Sequence, residues 1–255
     1  MRIFALSDLH VDFGENLGQV QSLSGSEHQQ DALLVAGDAA HHLDLCEAAL
    51  ATLRQRFSRV FFIPGNHDLW VHDGEEPVPD LPVPGMLETS LERLTALEDL
   101  CARIGVETVP AAVGEFWVVP LYSWYEASFS ERLHAEAPAA RLRQWADYKR
   151  CRWSTDLADD ESLCRYFAGL NDERQEARPE RTVITFSHFL PRPELLPKVA
   201  HLRFKGLPRV AGTEHLERQL RAAGASVHVF GHTHIPWDET IDGVRYVQNP
   251  LAYPH

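Results

Sequence analysis

The sequence predicts an α/β fold, and three observations carry that expectation. Five short apolar runs, at 3–6, 32–36, 60–63, 182–186 and 227–230, have the length of buried strands and each stops at polar residues. Stretches with helical apolar spacing alternate with them at 44–57, 89–104 and 213–223. A two-residue Asp242-Gly243 step then separates two strand-like runs near the end, as in a hairpin.

Residues 2–6, RIFAL, open the chain as a strand, and the polar stretch 11–31 reads as a loop with a short helix. The run 32–36 is the next strand. Over 44–57, Leu45, Ala48, Ala49, Leu50 and Leu53 recur at helical spacing, with Asp44 as the candidate N-cap. Pro64-Gly65 stops the strand 60–63, and 73–85, rich in Pro, Gly, Asp and Glu, reads as a surface loop. The helix 89–104 places Leu91, Leu94, Leu97 and Leu100 along one face, continued by Cys101 and Ile104. Short strands are expected at 106–109, 111–113 and 116–121.

Residues 124–181 break the pattern. Trp124, Tyr125, Phe129, Trp145, Tyr148, Trp153, Tyr166 and Phe167 lie among many Arg, Asp and Glu, and the stretch reads as a mainly helical insertion in a single domain spanning 1–255. Strand 182–186 resumes the sheet, and 189–211, with Pro191, Pro193, Pro197 and Pro208, is a long loop. The helix 213–223 has Thr213 as N-cap and Gly224 just past its end. Strand 227–230 and the hairpin of 237–241 with 244–247 complete the order. Periodicity alone leaves a doubly wound sheet and a two-sheet sandwich equally open.

At 255 residues, 44% hydrophobic and 24% charged, the chain has ordinary globular composition and can bury a large core without help from metal. A net charge of −13 argues against a basic groove for nucleic acid. Cys46, Cys101, Cys151 and Cys164 form no C-x-x-C pair and read as free thiols in a reducing cytoplasm. A strand beginning at Arg2 leaves no room for a signal peptide, and no apolar window approaches the ~18 residues of a membrane span.

The chemistry gathers where the strands end. Asp8-Leu9-His10, Gly37-Asp38, Gly65-Asn66-His67-Asp68, Ser187-His188 and Gly231-His232-Thr233-His234 each follow an apolar run. Carboxylate, imidazole and carboxamide make a nitrogen and oxygen ligand set suited to Mn, Fe or Zn. His232 and His234, two apart, would point to the same side of an extended segment.

This order of motifs, D-x-H, G-D, G-N-H-D, S-H and G-H-x-H, resembles the calcineurin-like metallophosphoesterases from Asp8 to His234. The resemblance implies a four-layer α/β/β/α sandwich of two mixed sheets. It implies two divalent metal ions, one on Asp8, His10 and His234 and the other on Asn66, His188 and His232, with Asp38 bridging both. His67 would stabilise or protonate the leaving group. The implied reaction is hydrolysis of a phosphomonoester or phosphodiester by metal-bound hydroxide, on a small anionic substrate such as a nucleotide, a cyclic nucleotide or a sugar phosphate. The alternative is a non-catalytic metal-binding scaffold of the same fold.

The chain departs from the protein Ser/Thr phosphatase branch of that family. Around the bridging Asp it reads Gly37-Asp38-Ala39-Ala40-His41-His42, so His41 stands where an orienting Asp is usual and His42 where a phosphate-binding Arg is usual. Asp68 replaces the usual Glu. His42 is therefore a candidate substrate contact. Arg192, the nearest to a ligand of Arg192, Arg203, Lys205 and Arg209 in the loop after His188, is another. The insertion is expected to wall the cleft, with Tyr122, Trp124, Tyr125 and Arg150 as stacking faces and a cation.

Overall fold

The computed structural model describes residues 1–71, 89–133, 145–174 and 180–254, so the predicted 73–85 loop lies outside the described residues. The first sheet is parallel. Strand β1 (Ile3–Leu6) pairs with β2 (Ala32–Ala36), which pairs with β3 (Arg59–Ile63). Every residue of β2 is buried. A central strand covered on both faces needs such an uninterrupted apolar run.

Helices α1 (Gly14–Ser22), α2 (Leu43–Arg56) and α3 (Ser90–Ile104) accompany this sheet. The buried face of α2 is Cys46, Ala49, Leu50 and Leu53, and α3 buries Leu94, Leu97, Leu100 and Cys101. Thr89 caps α3 in a reciprocal box. Its hydroxyl accepts the Glu92 N–H at 3.2 Å, and the Glu92 carboxylate accepts the Thr89 N–H at 3.0 Å. Asp44 is not the cap of α2. The helix starts one residue earlier, after His42, and Asp44 lies in its first turn, where a negative charge suits the helix dipole.

Strands β4 (Ala111–Val113) and β5 (Phe116–Pro120) begin the second sheet. The predicted strand 106–109 is reduced to a single bridge between Glu107 and Phe61, and Pro110, which has no N–H to donate, follows it. The described part of 124–181 contains α4 (Asp147–Arg150), α5 (Asp160–Gly169) and short 3₁₀ turns, with no strand among the described residues. The chain then continues through β6 (Thr182–Phe186), α6 (Glu214–Ala222), β7 (Ala225–Val229), β8 (Trp237–Ile241) and β9 (Val244–Gln248).

The second sheet runs β4-β5-β6-β7-β9-β8. Its central pairs are parallel and its two outer pairs antiparallel. Asp242 and Gly243 turn the last hairpin with φ of 49° and 82°, the positive pair that a type I′ turn needs. Helix α2 packs on β3 and α6 on β7, while β3 meets β5 across the interior. The two sheets thus lie between layers of helix. The fold is the four-layer α/β/β/α sandwich and not the doubly wound single sheet, but only the second sheet is mixed, the first being parallel throughout its described strands and not mixed as expected.

Candidate metal centre

The five motif segments follow β1, β2, β3, β6 and β7, all at their carboxyl ends. Backbone bonds stitch the segments into one edge. Asp8 N–H donates to Gly37 O at 3.0 Å, His10 N–H to Asp38 O at 2.9 Å, and Gly231 N–H to His188 O at 2.9 Å. His232 N–H donates to the Asp8 carboxylate at 2.8 Å.

The local backbone is unusual. Asp8, His10, Asp38, His232 and His234 all have φ between 42° and 74°, and they are five of the seven non-glycine residues with positive φ among the described residues. Such residues cost about 1–3 kcal/mol each and persist where the surrounding structure forces them. His232 and His234 are therefore not in an extended segment, as their spacing alone suggests. Left-handed turns send His232 towards Asn66 and His234 towards His10. The motif glycines supply room. A Cβ on Gly37 would lie 2.3 Å from His188 Nδ1, and one on Gly65 would lie 2.2 Å from Asp38 Oδ1.

The side chains converge in two halves that share Asp38. In one, the ligand atoms of Asp8, His10, Asp38 and His234 all lie within 4.8 Å of one another. His10 Nε2 is 2.9 Å from His234 Nε2, and His234 Nε2 is 3.5 Å from Asp8 Oδ1. In the other, Asn66 Oδ1 is 3.0 Å from His188 Nε2 and 3.1 Å from His232 Nδ1. Asp38 Oδ2 reaches both, at 3.8 Å from His10 Nε2 and 3.4 Å from His188 Nε2.

The protonation pattern asks for a cation. His188 Nδ1 faces the Ala36 carbonyl at 3.0 Å, so it carries the ring proton, and Nε2 of the neutral ring is a lone pair. The Asn66 NH₂ donates to Asp147 at 2.9 Å, which turns its oxygen to the centre. His188 Nε2, Asn66 Oδ1 and Asp38 Oδ2 are then three acceptors facing one another, a repulsive arrangement that a metal ion relieves. Burial lowers the His188 pKa and takes His10 down to about 3 and His234 to about 4, so these rings are neutral and keep a lone pair that a metal ion could take. Burial, with Asp68 and Asp8 alongside, pushes the Asp38 carboxyl well above the usual carboxylate range, and positive charge nearby is what would restore its ionised form.

Several supporting residues carry little signal in the sequence. Asp68 accepts the N–H groups of Asp38 at 2.7 Å, Ala39 at 2.9 Å, Ala40 at 3.0 Å and Gly65 at 2.8 Å, locking two motif loops together. Asp147, from 124–181, accepts from Trp70 Nε1 and Trp145 Nε1, each at 2.7 Å, besides Asn66. Trp70 packs on His67 with ring centroids 3.6 Å apart, and the Arg150 guanidinium lies 4.4 Å over Trp70. Tyr253, near the end of the chain, lies 4.5 Å from the His10 ring. Asp68 sat in a recognised motif. Asp147, Trp70 and Tyr253 had no spacing that could single them out.

His67 lies at the rim of the centre, Nε2 3.9 Å from Asp38 Oδ2. Its backbone N–H donates to Asp38 Oδ1 at 2.9 Å, and burial lowers its imidazole pKa well below the usual value. His41 pairs with Asp12 at 3.0 Å, and His42 is exposed against it, ring centroids 4.3 Å apart. Arg192 lies elsewhere, between Glu194 at 3.0 Å, Glu217 at 3.4 Å and Asp242 at 2.7 Å. Tyr122, Trp124 and Tyr125 are 3%, 1% and 0% exposed, so they pack the interior and offer no face to a substrate. From that segment it is Trp145, Asp147 and Arg150 that approach the centre.

Residues 1–236 match the calcineurin-like phosphoesterase family. The chain belongs to that family. A curated relative, acyl-carrier-protein phosphodiesterase PptH of Mycobacterium tuberculosis (strain ATCC 25618 / H37Rv), is 27% identical over 269 residues, covering 99% of this chain and 78% of that protein. The crystal structure of phosphopantetheinyl hydrolase (PptH) from Mycobacterium tuberculosis superposes with a TM-score of 0.75 at 25% identity, covering 99% of this chain and 89% of that one. TT1561 of Thermus thermophilus shares the fold alone, with a TM-score of 0.52 at 11% identity, covering 98% of this chain and 89% of that one. The calcineurin-like phosphoesterase described here is accordingly a metal-dependent hydrolase of phosphoester bonds, and the scaffold alternative falls away. No helix among the described residues is long and apolar enough to cross a membrane.

Proposed function

We propose that this enzyme is a phosphodiesterase that removes the phosphopantetheinyl group from a carrier protein. The observation that carries the reaction class is the acceptor cluster of His188 Nε2, Asn66 Oδ1 and Asp38 Oδ2 beside Asp8, His10 and His234. The substrate class is supported by similarity along 99% of the chain to a protein named for that activity. This widens the expectation of a small substrate to a phosphodiester carried on a protein.

Asp8, His10 and His234 would hold one divalent ion and Asn66, His188 and His232 a second, with Asp38 shared. The ligand set suits Mn, Fe or Zn. Such ions, when bound, neutralise phosphoryl oxygens and make water acidic enough to act near neutral pH. The protein's own part is positional. Asp147 fixes the Asn66 amide, Ala36 O fixes the His188 tautomer, and Asp68 fixes the loop carrying Asp38. His67 is a neutral ring at the rim, held against Trp70, and its ring N–H is placed to hydrogen-bond to the departing oxygen and stabilise the charge that develops there. The segment 124–181 forms one wall through Trp145, Asp147 and Arg150. Four free thiols fit a cytoplasmic setting.

The test is incubation of metal-loaded enzyme with a carrier protein bearing phosphopantetheine, read by intact mass. The expected products are the apo carrier and free 4′-phosphopantetheine, and both should vanish with Asp38→Asn. Hydrolysis of simple aryl diesters with an untouched carrier protein would refute the substrate while leaving the phosphoesterase intact.

A further inference from the structure

Two aromatic rings lie exposed against the metal centre and no part of the chemistry above uses them. Phe13 is 44% and Tyr253 43% exposed, and their ring centroids are 5.3 Å apart. Tyr253 rests on both candidate ligand imidazoles of one half-site, 4.5 Å from His10 and 4.6 Å from His234. Two adjoining aromatic rings exposed beside a reactive centre offer an apolar face to whatever is held there.

Both rings are held in place by the backbone. Leu251 N–H donates to Ser7 O and Ala252 N–H to Asp8 O, each at 2.9 Å. Buried Asn16 donates to Leu9 O at 2.8 Å and to Ala252 O at 2.7 Å, clamping the tail to the loop that carries Asp8 and His10. Ala252 is held at φ 62° by these bonds, which turns the chain just before Tyr253. Phe13 N–H donates to His10 O at 3.0 Å, so Phe13 is fixed by the same loop. Tyr253 lies beyond the stretch that matches the family.

We infer that Phe13 and Tyr253 form the docking face for the neutral organic arm of the substrate, setting the preference for a pantetheinyl phosphoester over a smaller one. This rests on the function proposed above and adds the side chains that read the arm. The rings carry no charge, so they have little to offer a phosphate. A group extending from a phosphorus at the centre past His10 and His234 meets Tyr253, with Phe13 beyond it. An uncharged chain can lay its methyl groups on both rings while its amides keep their hydrogen bonds to water on the open side.

The experiment measures the affinity of metal-loaded enzyme for 4′-phosphopantetheine and for inorganic phosphate, with metal content determined by elemental analysis. Phe13→Ala and Tyr253→Ala should each weaken phosphopantetheine binding about 3- to 10-fold, with phosphate binding and metal content unchanged. Tyr253→Phe should match the unsubstituted enzyme. Equal weakening of both ligands would overturn the inference, since Tyr253 would then act by supporting His10 and His234. Unchanged phosphopantetheine binding with weakened binding of the loaded carrier protein would overturn it too, placing the rings against the carrier's surface. If the unsubstituted enzyme binds phosphopantetheine no better than phosphate, the inference falls together with the pantetheinyl substrate. Tight binding there with unaffected variants would remove the inference alone.

Discussion

Asp68→Asn is the sharpest test of how the centre is built. Each Asp68 oxygen accepts two backbone N–H groups, Oδ2 those of Asp38 and Gly65 and Oδ1 those of Ala39 and Ala40. Asp68 is fully buried. Burial raises its pKa to about 6 while the backbone bonds pull it back, and four donors leave no acceptor for an added proton, so the carboxylate is the form that fits. An amide cannot substitute for it. Whichever way Asn turns, its NH₂ faces two N–H donors and leaves them unpaired in the interior. At about 1–3 kcal/mol for each orphaned donor, the loss is about 2–6 kcal/mol, a large share of the ~5–15 kcal/mol that holds a typical domain folded. Urea unfolding of metal-free protein measures this without the contribution of bound ions. Because the same N–H groups set the Asp38 loop, metal affinity should fall as well. A stability loss under about 1 kcal/mol would refute the argument, since it would mean that the loops keep their positions without the carboxylate.

The remaining predictions concern the rim, the amide clamp and pH. His67→Ala should keep full metal content by elemental analysis and lower kcat by about 10²–10³, with a smaller loss on a nitrophenyl ester whose leaving group carries its charge unaided. Loss of metal would show that His67 holds an ion. Asp147→Ala frees the Asn66 amide to rotate and should weaken metal affinity about 10–100-fold in a chelator competition, while an unchanged affinity would show that Asn66 is held by other means. His228, buried between Thr185 Oγ1 at 2.8 Å and Ser187 Oγ at 3.1 Å, has its pKa taken down to about 3 by burial. A depressed histidine contributes stability that is complete above the unfolded value of ~6.5 and is lost as pH falls towards the folded one, about 2 kcal/mol between pH 6.5 and 5. Stability of His228→Asn should fall less steeply with acid over that window, and an unchanged slope would show that His228 is charged in the folded state.

Local pattern determined much of this protein. A strand such as β2, buried on both faces, must be written as an unbroken apolar run, and β2 is 32–36 as read from the sequence. The Asp242-Gly243 turn is likewise a short-range device, legible because its partners are neighbours in the chain. The family and its motif residues were legible for a related reason, since each motif follows its strand at once and the order of motifs carries the family. Tertiary structure decided whatever depends on which distant segments meet. Nothing near Asp147 says that it will hold an amide 81 positions away, or that Tyr253 will lie on His10. Spacing gave the wrong reason for His232 and His234, because period-two reasoning assumes extended backbone and both residues are left-handed. Trp124 and Tyr125, aromatic and near the right segment, turned inward because burying a large ring is favourable wherever a core is within reach. Composition states how much apolar surface a chain must hide. Only packing decides which rings are hidden and which two, Phe13 and Tyr253, are left facing water beside the site.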